Sequence, residues 1–252
     1  MNWNRKTIVE IHQALRQKQI SCQQLVAATL SVLTDYRHLN ATTAVRTSSA
    51  IQFAAQQDQS PSERDHVLWG IPFAAKDNFC VGNEITTASC AILQNYVAPN
   101  NASVIDFLTK NGANLVCKTT MDALGMGSYG LDAVSGPVLN PYDSKRITGG
   151  SSSGSAVVVA IGAVPFALGT DTGDSVRKPA AYCGLVGLKP TYGLVSRYAV
   201  IPFAPSLDTV GILCRSIVDC GVILQTVARY DKRDFSSYQL SSCPDYRLLP
   251  QT

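Results

Sequence analysis

The stretch from residue 148 to residue 175, TGGSSSGSAVVVAIGAVPFALGTDTGDS, decides the fold and carries much of the candidate chemistry. A Gly/Ser-rich loop comes first. The apolar residues that follow predict a helix over Ala156–Ile161 and a strand over Val164–Leu168. Small and polar residues come directly after the strand. A helix and a strand this apolar, in close succession, predict a buried α/β unit with its polar residues where the elements end.

The segments around this unit also alternate between helix and strand. The apolar run Val67–Ala75 predicts a buried strand that ends at Lys76, Asp77 and Asn78. Periodicity and capping residues predict helices at about Thr7–Lys18, Ser21–Leu33, Ser103–Lys110 and Ser216–Arg229, a short strand at Leu115–Cys117 and a loop at Gln56–Asp65. The predicted fold class is therefore α/β, with a mixed sheet covered by helices on both faces.

The composition predicts a globular protein with a sizeable core. The 252 residues are 46% apolar and 15% charged, which suits one large domain or two small ones. A net charge of +3 without a run of Lys and Arg does not predict a nucleic-acid groove, so RNA binding would depend largely on a partner. The sequence has no apolar run of about 20 residues, so no membrane span is predicted.

The first twenty residues carry four basic residues against one acidic residue, which faintly resembles a mitochondrial presequence. The capping-box spacing of Thr7 and Glu10 instead indicates that this segment forms the first helix of the fold.

The eight cysteines predict neither a disulfide framework nor a metal site. A chain this long and apolar does not need disulfides for stability, and no secretory signal precedes it. No C-x-x-C pair occurs, which argues against zinc. We expect mostly reduced thiols at all eight positions: Cys22, Cys80, Cys90, Cys117, Cys183, Cys214, Cys220 and Cys243.

The Gly/Ser loop at 148–156 has three interpretations. A flexible linker is disfavoured because an apolar helix follows at once. A phosphate loop is disfavoured because no lysine follows Gly154 and the dinucleotide pattern G-x-G-x-x-G is missing. The third is a loop that holds a hydroxyl group against a reacting centre, since glycines allow a close backbone approach.

Ser175 lies among small residues and needs a proton acceptor if it is a nucleophile. The three histidines, His12, His38 and His66, lie far upstream in segments unlike catalytic loops. Ser175 and Lys178 match the S-x-x-K element of penicillin-binding proteins, which requires a shared helical face. Pro179 disfavours the helical conformation at Lys178, so we interpret Lys178 as a surface or ion-pairing lysine.

Lys76 is the better candidate for the base. It ends an apolar run, so burial can lower its pKa and let it accept a proton. Ser–Lys pairs are a known form of nucleophile activation. The alternative is a strand-end lysine paired with Asp77, and the local sequence leaves both interpretations open.

The motifs together resemble the amidase signature family. They are AAKDN at 74–78, GGSSSGSA at 149–156 and GTDTGDSVRKPAAYCG at 169–184, and their spacings fit as well. The segments at 136–143, 184–213 and 231–237 are similar to the A subunits of glutamyl-tRNA(Gln) amidotransferases, and ITGGSSSGSA and KDNFC to mitochondrial forms. The resemblance implies an amidase signature domain, its N-terminal part, over residues 1–237, followed by an irregular tail at 238–252.

The resemblance implies a Ser-Ser-Lys triad. Ser175 would be the nucleophile, and Ser151, after a cis peptide bond from Gly150, would relay the proton. Lys76 would be the base. The backbone N–H groups of Thr172, Gly173 and Asp174 would form the oxyanion hole, and Ser128 would line the substrate pocket.

The implied activity is hydrolysis of the side-chain amide of glutamine. The ammonia would pass to the B subunit of the complex, where ATP-activated Glu-tRNA(Gln) becomes Gln-tRNA(Gln). The implied partners are the B and C subunits and, through the complex, charged tRNA. No cofactor is expected in this chain, because ATP and Mg²⁺ would bind in the partner protein. The expected location is mitochondrial, with the cytoplasm as the alternative.

The chain departs from the family pattern in several ways. Asp174 stands where glycine is usual, and a carboxylate there would work against a developing oxyanion. Ser153 and Lys178 also replace usual residues, and the chain ends near the middle of a typical member. We therefore expect an uncovered apolar face or sheet edge and a tendency to aggregate. Alternative functions are a general small-amide amidase and a non-catalytic subunit that only docks partners.

Overall fold

A six-stranded mixed sheet organises the computed structural model, which describes residues 3–60, 65–242 and 244–247. The strand order is β1-β3-β2-β4-β6-β5. The strands are β1 Thr42–Val45, β2 Pro72–Lys76, β3 Asn114–Thr119, β4 Phe166–Asp171, β5 Val186–Leu188 and β6 Thr209–Cys214.

The three central strands are parallel, and this arrangement determines where the candidate residues lie. β2 pairs in parallel with β3 on one side and with β4 on the other, whereas β1, β6 and β5 are antiparallel to their neighbours. In the β2–β4 pair, Ala75 lies opposite Leu168. The carboxyl ends of both strands therefore reach the same edge of the sheet, with Lys76 at the end of one and the segment before Ser175 at the end of the other.

Seven helices surround the sheet in the described part of the chain. They are α1 Ile8–Arg16, α2 Cys22–Asp35, α3 Thr47–Gln59, α4 Ser103–Lys110, α5 Ser153–Ala160, α6 Arg177–Tyr182 and α7 Ile217–Val227. The predicted capping box at Thr7 is present, and Ser21 forms a second one. The Thr7 and Ser21 side chains accept from the N–H groups three residues on, and Glu10 and Gln24 reciprocate.

The sheet is covered on both faces, which confirms the predicted fold class. Successive residues of a strand point to opposite faces. Every residue of β2, β3, β4 and β6 is buried, so neither face of these strands is open to water. The Phe73 and Phe166 rings stack across the β2–β4 pair with their centroids 5.3 Å apart.

Several predicted boundaries are wrong. The strand predicted at Val67–Ala75 is restricted to β2, because a turn at Gly70 with a φ of 76° interrupts the apolar run. The loop predicted at Gln56–Asp65 is helical as far as Gln59; residues 61–64 lie outside the described residues. The strand predicted at Val164–Leu168 begins at Phe166 and continues to Asp171, and its helix begins at Ser153.

The other predicted elements are confirmed more closely. α4 coincides with the predicted Ser103–Lys110, and Gly112 follows it with a φ of 85°. Ser216 caps α7, but Asp219 accepts from the Ile8 N–H group at 2.8 Å instead of completing a capping box.

The outer edges of β1 and β5 pair with no further strand among the described residues. All three residues of β5 are half-buried. Large apolar side chains are exposed at Ile92, Met126, Phe203, Leu207 and Ile217. The expected uncovered sheet edge is therefore present among the described residues, and aggregation stays a prediction.

None of the described cysteines, which leave out Cys243, is disulfide-bonded, in agreement with the predicted reduced thiols. None of the described helices has the length and apolarity needed to cross a bilayer.

Candidate active site

Lys76 ends β2 with its side chain completely buried. Its Nζ atom lies 2.7 Å from Ser151 Oγ, 2.9 Å from Thr170 Oγ1 and 3.2 Å from the Thr170 carbonyl oxygen. Two amine hydrogens can therefore be donated to Thr170, which leaves the third position facing the Ser151 hydroxyl group. The predicted contact between Lys76 and Ser151 is present.

Burial lowers the pKa of Lys76 to about 7, because an ammonium group loses hydration when it leaves water. The carboxylates of Asp122, Asp171 and Asp208 act in the opposite direction and limit this decrease. None of them is hydrogen-bonded to Nζ, whose described partners are all hydroxyl or carbonyl oxygens. A substantial fraction of Lys76 is therefore neutral at pH 7 and can accept a proton.

Lys76 does not pair with Asp77, so the alternative interpretation is wrong. The Asp77 carboxylate instead accepts from Lys118 Nζ at 2.8 Å, and both side chains are 1% exposed. Asp77 also accepts from the N–H and hydroxyl groups of Thr87. Lys118 lies on β3, so its pairing with Asp77 is a long-range contact that the local sequence cannot reveal.

Ser151 lies just before α5, and the peptide bond between Gly150 and Ser151 is cis. Two backbone hydrogen bonds hold this loop: Gly150 N–H donates to the Ser128 carbonyl oxygen at 2.9 Å, and Asp122 N–H donates to the Ser151 carbonyl oxygen at 3.2 Å. A side chain at Gly150 would collide with the Asp122 carboxylate. The described contact of Ser128 with this loop is through its backbone, and its predicted role toward substrate stays a prediction.

Ser175 lies in residues 172–176, here called the nucleophile turn, between β4 and α6. The Ser152 N–H group donates to the Ser175 carbonyl oxygen at 3.1 Å, which attaches the turn to the Ser151 loop. Asp171 holds the turn from the other side: its carboxylate accepts from Val176 N–H at 3.0 Å and from two guanidinium nitrogens of Arg177. Burial alone would raise the pKa of Asp171, but the hydrogen bonds from Arg177 and Val176 lower it overall.

The expected hydrogen bond between Ser175 Oγ and Ser151 is absent from the contacts of the described residues. The two segments are joined through their backbones, by the hydrogen bond from Ser152 N–H to the Ser175 carbonyl oxygen. Hydrogen bonds between catalytic side chains often become short and well aligned only when substrate binds.

The nucleophile turn has unused hydrogen-bond donors. In the described part of the chain, the backbone N–H groups of residues 172–175 donate to no other protein group. The Thr172 hydroxyl donates to Asp208 at 2.5 Å, and a Cβ atom built at Gly173 would meet open space. Adjacent free N–H groups beside an open volume are the arrangement that an oxyanion hole requires.

Lys178 is an ion-pairing residue, as predicted, but the prediction that Pro179 keeps Lys178 out of a helix is wrong. Lys178 and Pro179 both lie in α6, because proline is tolerated in the first turn of a helix. Ser175 precedes the helix, so the two residues of the S-x-x-K match do not share a helical face. The Lys178 ammonium instead forms an ion pair with the Asp174 carboxylate.

Three acidic residues that were not predicted from the sequence support the site. Asp122 follows β3 and accepts from the N–H groups of Gly130 and Asp132. Asp208 accepts from Phe203, Ala204 and Thr172. Asp171 carried the clearest sequence signal, because it is the charged residue that ends the largely apolar strand β4.

A family model described as Amidase matches residues 24–250 of the chain. The chain belongs to the amidase family. Among its relatives, the A subunit of the glutamyl-tRNA(Gln) amidotransferase of Chromohalobacter salexigens is 41% identical over 243 residues, and that of Coxiella burnetii is 42% identical over 245. Each comparison covers 96% of this chain and 50% of the relative. The chain thus spans about half the length of the curated relatives it matches.

Two solved structures of amidase-type proteins are similar in fold. The native peptide amidase of Stenotrophomonas maltophilia superposes with a TM-score of 0.89 at 31% identity, over 96% of this chain and 52% of that one. The A subunit of the glutamyl-tRNA(Gln) amidotransferase of Thermotoga maritima superposes with a TM-score of 0.76 at 32% identity, over 95% and 50%. This amidase chain therefore has a fold shared with both a peptide amidase and an amidotransferase protein.

Proposed function

We propose that this chain carries the amide-hydrolysing centre of a glutamyl-tRNA(Gln) amidotransferase, with Ser175 as nucleophile, Ser151 as proton relay and Lys76 as base. The observation that carries the proposal is the buried Lys76 Nζ atom 2.7 Å from Ser151 Oγ, at the sheet edge that also holds Ser175. The identity of about 40% to amidotransferase A subunits supports glutamine as the substrate.

Acylation begins when Ser175 Oγ attacks the carbonyl carbon of the glutamine side-chain amide. The hydroxyl proton passes to Ser151, whose own proton passes to neutral Lys76. The carbonyl oxygen becomes an oxyanion beside the free N–H groups of Thr172, Gly173 and Asp174, which stabilise its charge.

The tetrahedral intermediate then collapses, and the carbon–nitrogen bond breaks. The Lys76 ammonium returns a proton through Ser151 to the departing nitrogen, so ammonia leaves and the base is regenerated. Water then attacks the resulting ester and gives a proton through Ser151 to Lys76. Lys76 returns a proton through Ser151 to Ser175 Oγ, which releases glutamate and restores the Ser175 hydroxyl group. In this scheme, Lys76 must be neutral at the start of each half-reaction.

The ammonia is proposed to serve a partner rather than to be released. The B subunit would use ATP and Mg²⁺ to activate Glu-tRNA(Gln), and the C subunit or its equivalent would complete the assembly. We place this assembly in mitochondria, on the similarity of the two short motifs at 147–156 and 76–80.

Substitution of the nucleophile tests the proposal. The full chain should release ammonia from glutamine, and Ser175→Ala should abolish release. Ser153→Ala is the matched control, because Ser153 is buried next to the same loop and its hydroxyl has no described hydrogen-bond partner. Activity that survives Ser175→Ala would contradict the assignment.

The higher TM-score to the peptide amidase supports a second candidate, a general amidase that does not need partners. A panel of small amides and peptide amides, with and without the B and C subunits, separates the two. Glutamine as the preferred substrate, with activity increased by the partners, supports the amidotransferase. Partner binding without hydrolysis of any amide would instead support a protein that only docks partners.

A further inference from the structure

Lys178 lies beside three of the loops at the candidate active site. Its ammonium pairs with Asp174 in the nucleophile turn, and its backbone N–H donates to the Asp174 carbonyl oxygen at 2.8 Å. The same ammonium lies 5.6 Å from the centroid of the Tyr129 ring, in the loop that follows Ser128. A Cβ atom built at Gly149 would lie 3.2 Å from Lys178 Cγ, so the aliphatic part of the side chain lies beside the loop that leads to Ser151.

The charges on the nucleophile turn balance in pairs. Arg177 neutralises Asp171 through two hydrogen bonds, and Lys178 neutralises Asp174. The Asp174 side chain is 40% exposed and that of Lys178 is 23% exposed, so the second pair lies at the mouth of the site and not in the core. Loss of Lys178 alone would leave an unpaired carboxylate on the residue that precedes Ser175.

That carboxylate would act against the chemistry of the turn. The backbone N–H groups of residues 172–175 are free to stabilise a negative charge, and the Asp174 side chain is attached to one of these residues. Like charges at short range repel, and the repulsion is stronger where water is partly excluded. A neighbouring cation that pairs with the carboxylate reduces this repulsion and restricts the directions in which the carboxylate can point.

We propose that Lys178 is a positioning residue that holds the Asp174 carboxylate away from the oxyanion and neutralises its charge, so that Ser175 can react. The proposal rests on the proposed function, because it presumes that an oxyanion forms at this turn. It makes a specific claim: the site needs Lys178 only because it contains Asp174. A purely structural role, through the packing of Lys178 beside Gly149 and Tyr129, would not depend on Asp174.

The rate at which a fluorophosphonate modifies Ser175 tests this claim without partners or glutamine. In this reaction, a bond forms between Ser175 Oγ and phosphorus, the P–F bond breaks, and fluoride leaves. The serine proton passes through Ser151 to Lys76, and the phosphoryl oxygen carries negative charge at the turn. Mass spectrometry of the full chain gives the rate and the modified residue, and Ser175→Ala identifies background labelling.

Four proteins form the experiment: wild type, Lys178→Gln, Asp174→Asn and the double variant. We expect Lys178→Gln to slow labelling about tenfold relative to wild type, since one full charge interaction at the surface of a site is of this order. We expect the double variant to be labelled within about threefold of the rate of Asp174→Asn, because no carboxylate is left unpaired when Lys178 is also changed. Lys110→Gln is the control, because it removes the same charge at a distance from the site. Lys110 ends α4, which leads into the start of β3, and its loss should not change the labelling rate.

The outcomes distinguish failure of the inference about Lys178 from failure of the proposed function. Rapid labelling of wild type and an equal rate for Lys178→Gln would overturn the inference and leave the proposed function intact. A double variant labelled about tenfold more slowly than Asp174→Asn would also overturn it, in favour of packing. Wild type that is not labelled at Ser175 would overturn the proposed function, and the inference would fall with it. Circular dichroism melting of each variant shows whether a slow rate reflects loss of folded protein.

Discussion

Two buried lysines lie near the carboxyl ends of neighbouring strands of the same sheet, and their partners are different. Lys118 on β3 forms an ion pair with Asp77, with 2.8 Å between Nζ and Oδ1. Lys76 on β2 contacts only hydroxyl and carbonyl oxygens among the described residues, and burial lowers its pKa to about 7. The comparison teaches that burial alone does not make a lysine a base. The absence of a carboxylate in direct contact leaves Lys76 able to lose its proton near neutral pH.

The largest expected effect comes from removal of the base. Lys76→Met places an apolar side chain of similar length in the fully buried site and removes the proton acceptor. We expect amide hydrolysis to fall about 10³-fold, within the range seen when general bases are removed, while the protein stays folded. Ammonia release and thermal melting measure the two effects. A variant that keeps more than about a tenth of the activity would contradict the role of Lys76.

The corresponding change at the other lysine should act on stability. Lys118→Met leaves the Asp77 carboxylate buried and unpaired, so we expect the free energy of unfolding to fall by about 3–5 kcal/mol. Urea denaturation measures this change.

Asp77→Asn combined with Lys118→Met serves as the control for this experiment. It removes the charge and keeps an oxygen acceptor for Thr87, and should restore most of the lost stability. A Lys118→Met variant as stable as wild type would show that the two lysines do not differ in the way described.

The pH dependence of the reaction should follow the protonation of Lys76. Because the neutral amine is the active form and the pKa is about 7, the rate should rise with pH and level off above about pH 8. Below about pH 6 it should fall about tenfold per unit of pH. The rate of Ser175 labelling between pH 5 and pH 9 measures this profile. A rate that still rises tenfold per unit at pH 9 would place the pKa near that of an ordinary lysine.

The smallest expected effect is a shift of that profile. Thr170→Val removes the hydroxyl oxygen 2.9 Å from Lys76 Nζ, which stabilises the ammonium form more than the neutral form. The pKa of Lys76 should therefore decrease further, and the profile should move about one unit toward lower pH. Ser153→Ala, with no described hydrogen-bond partner to lose, should leave the profile in place. A shift toward higher pH would contradict the assigned hydrogen bonds.

The sequence predicted the elements that are specified locally. α1, α2 and α4 have capping residues or a clear periodicity, and the apolar runs within β2, β3 and β4 mark central strands. β1 was not predicted because three of its four residues are exposed, so pairing with β3 and not apolar patterning makes it a strand. β5, β6, α3 and α6 were not predicted either.

At the candidate site too, residues in local motifs were predicted and their long-range partners were not. Ser175, Ser151 and Lys76 were found through their motifs, but the partners that control Lys76 come from distant segments. Thr170 lies 94 positions after Lys76, and Lys118 lies 41 positions after the aspartate it neutralises. The pair of Asp174 and Lys178 could have been predicted, because charges four residues apart across a helix start often interact.

An NMR titration of Lys76 tests most directly whether this side chain is the base. Lysine labelled with ¹³C at the ε carbon reports the protonation of the side chain, and Lys76→Met assigns its signal. We expect the Lys76 signal to titrate near pH 7. A Lys76 signal that stays fully protonated up to about pH 9 would contradict it, because the base would then be almost absent at neutral pH.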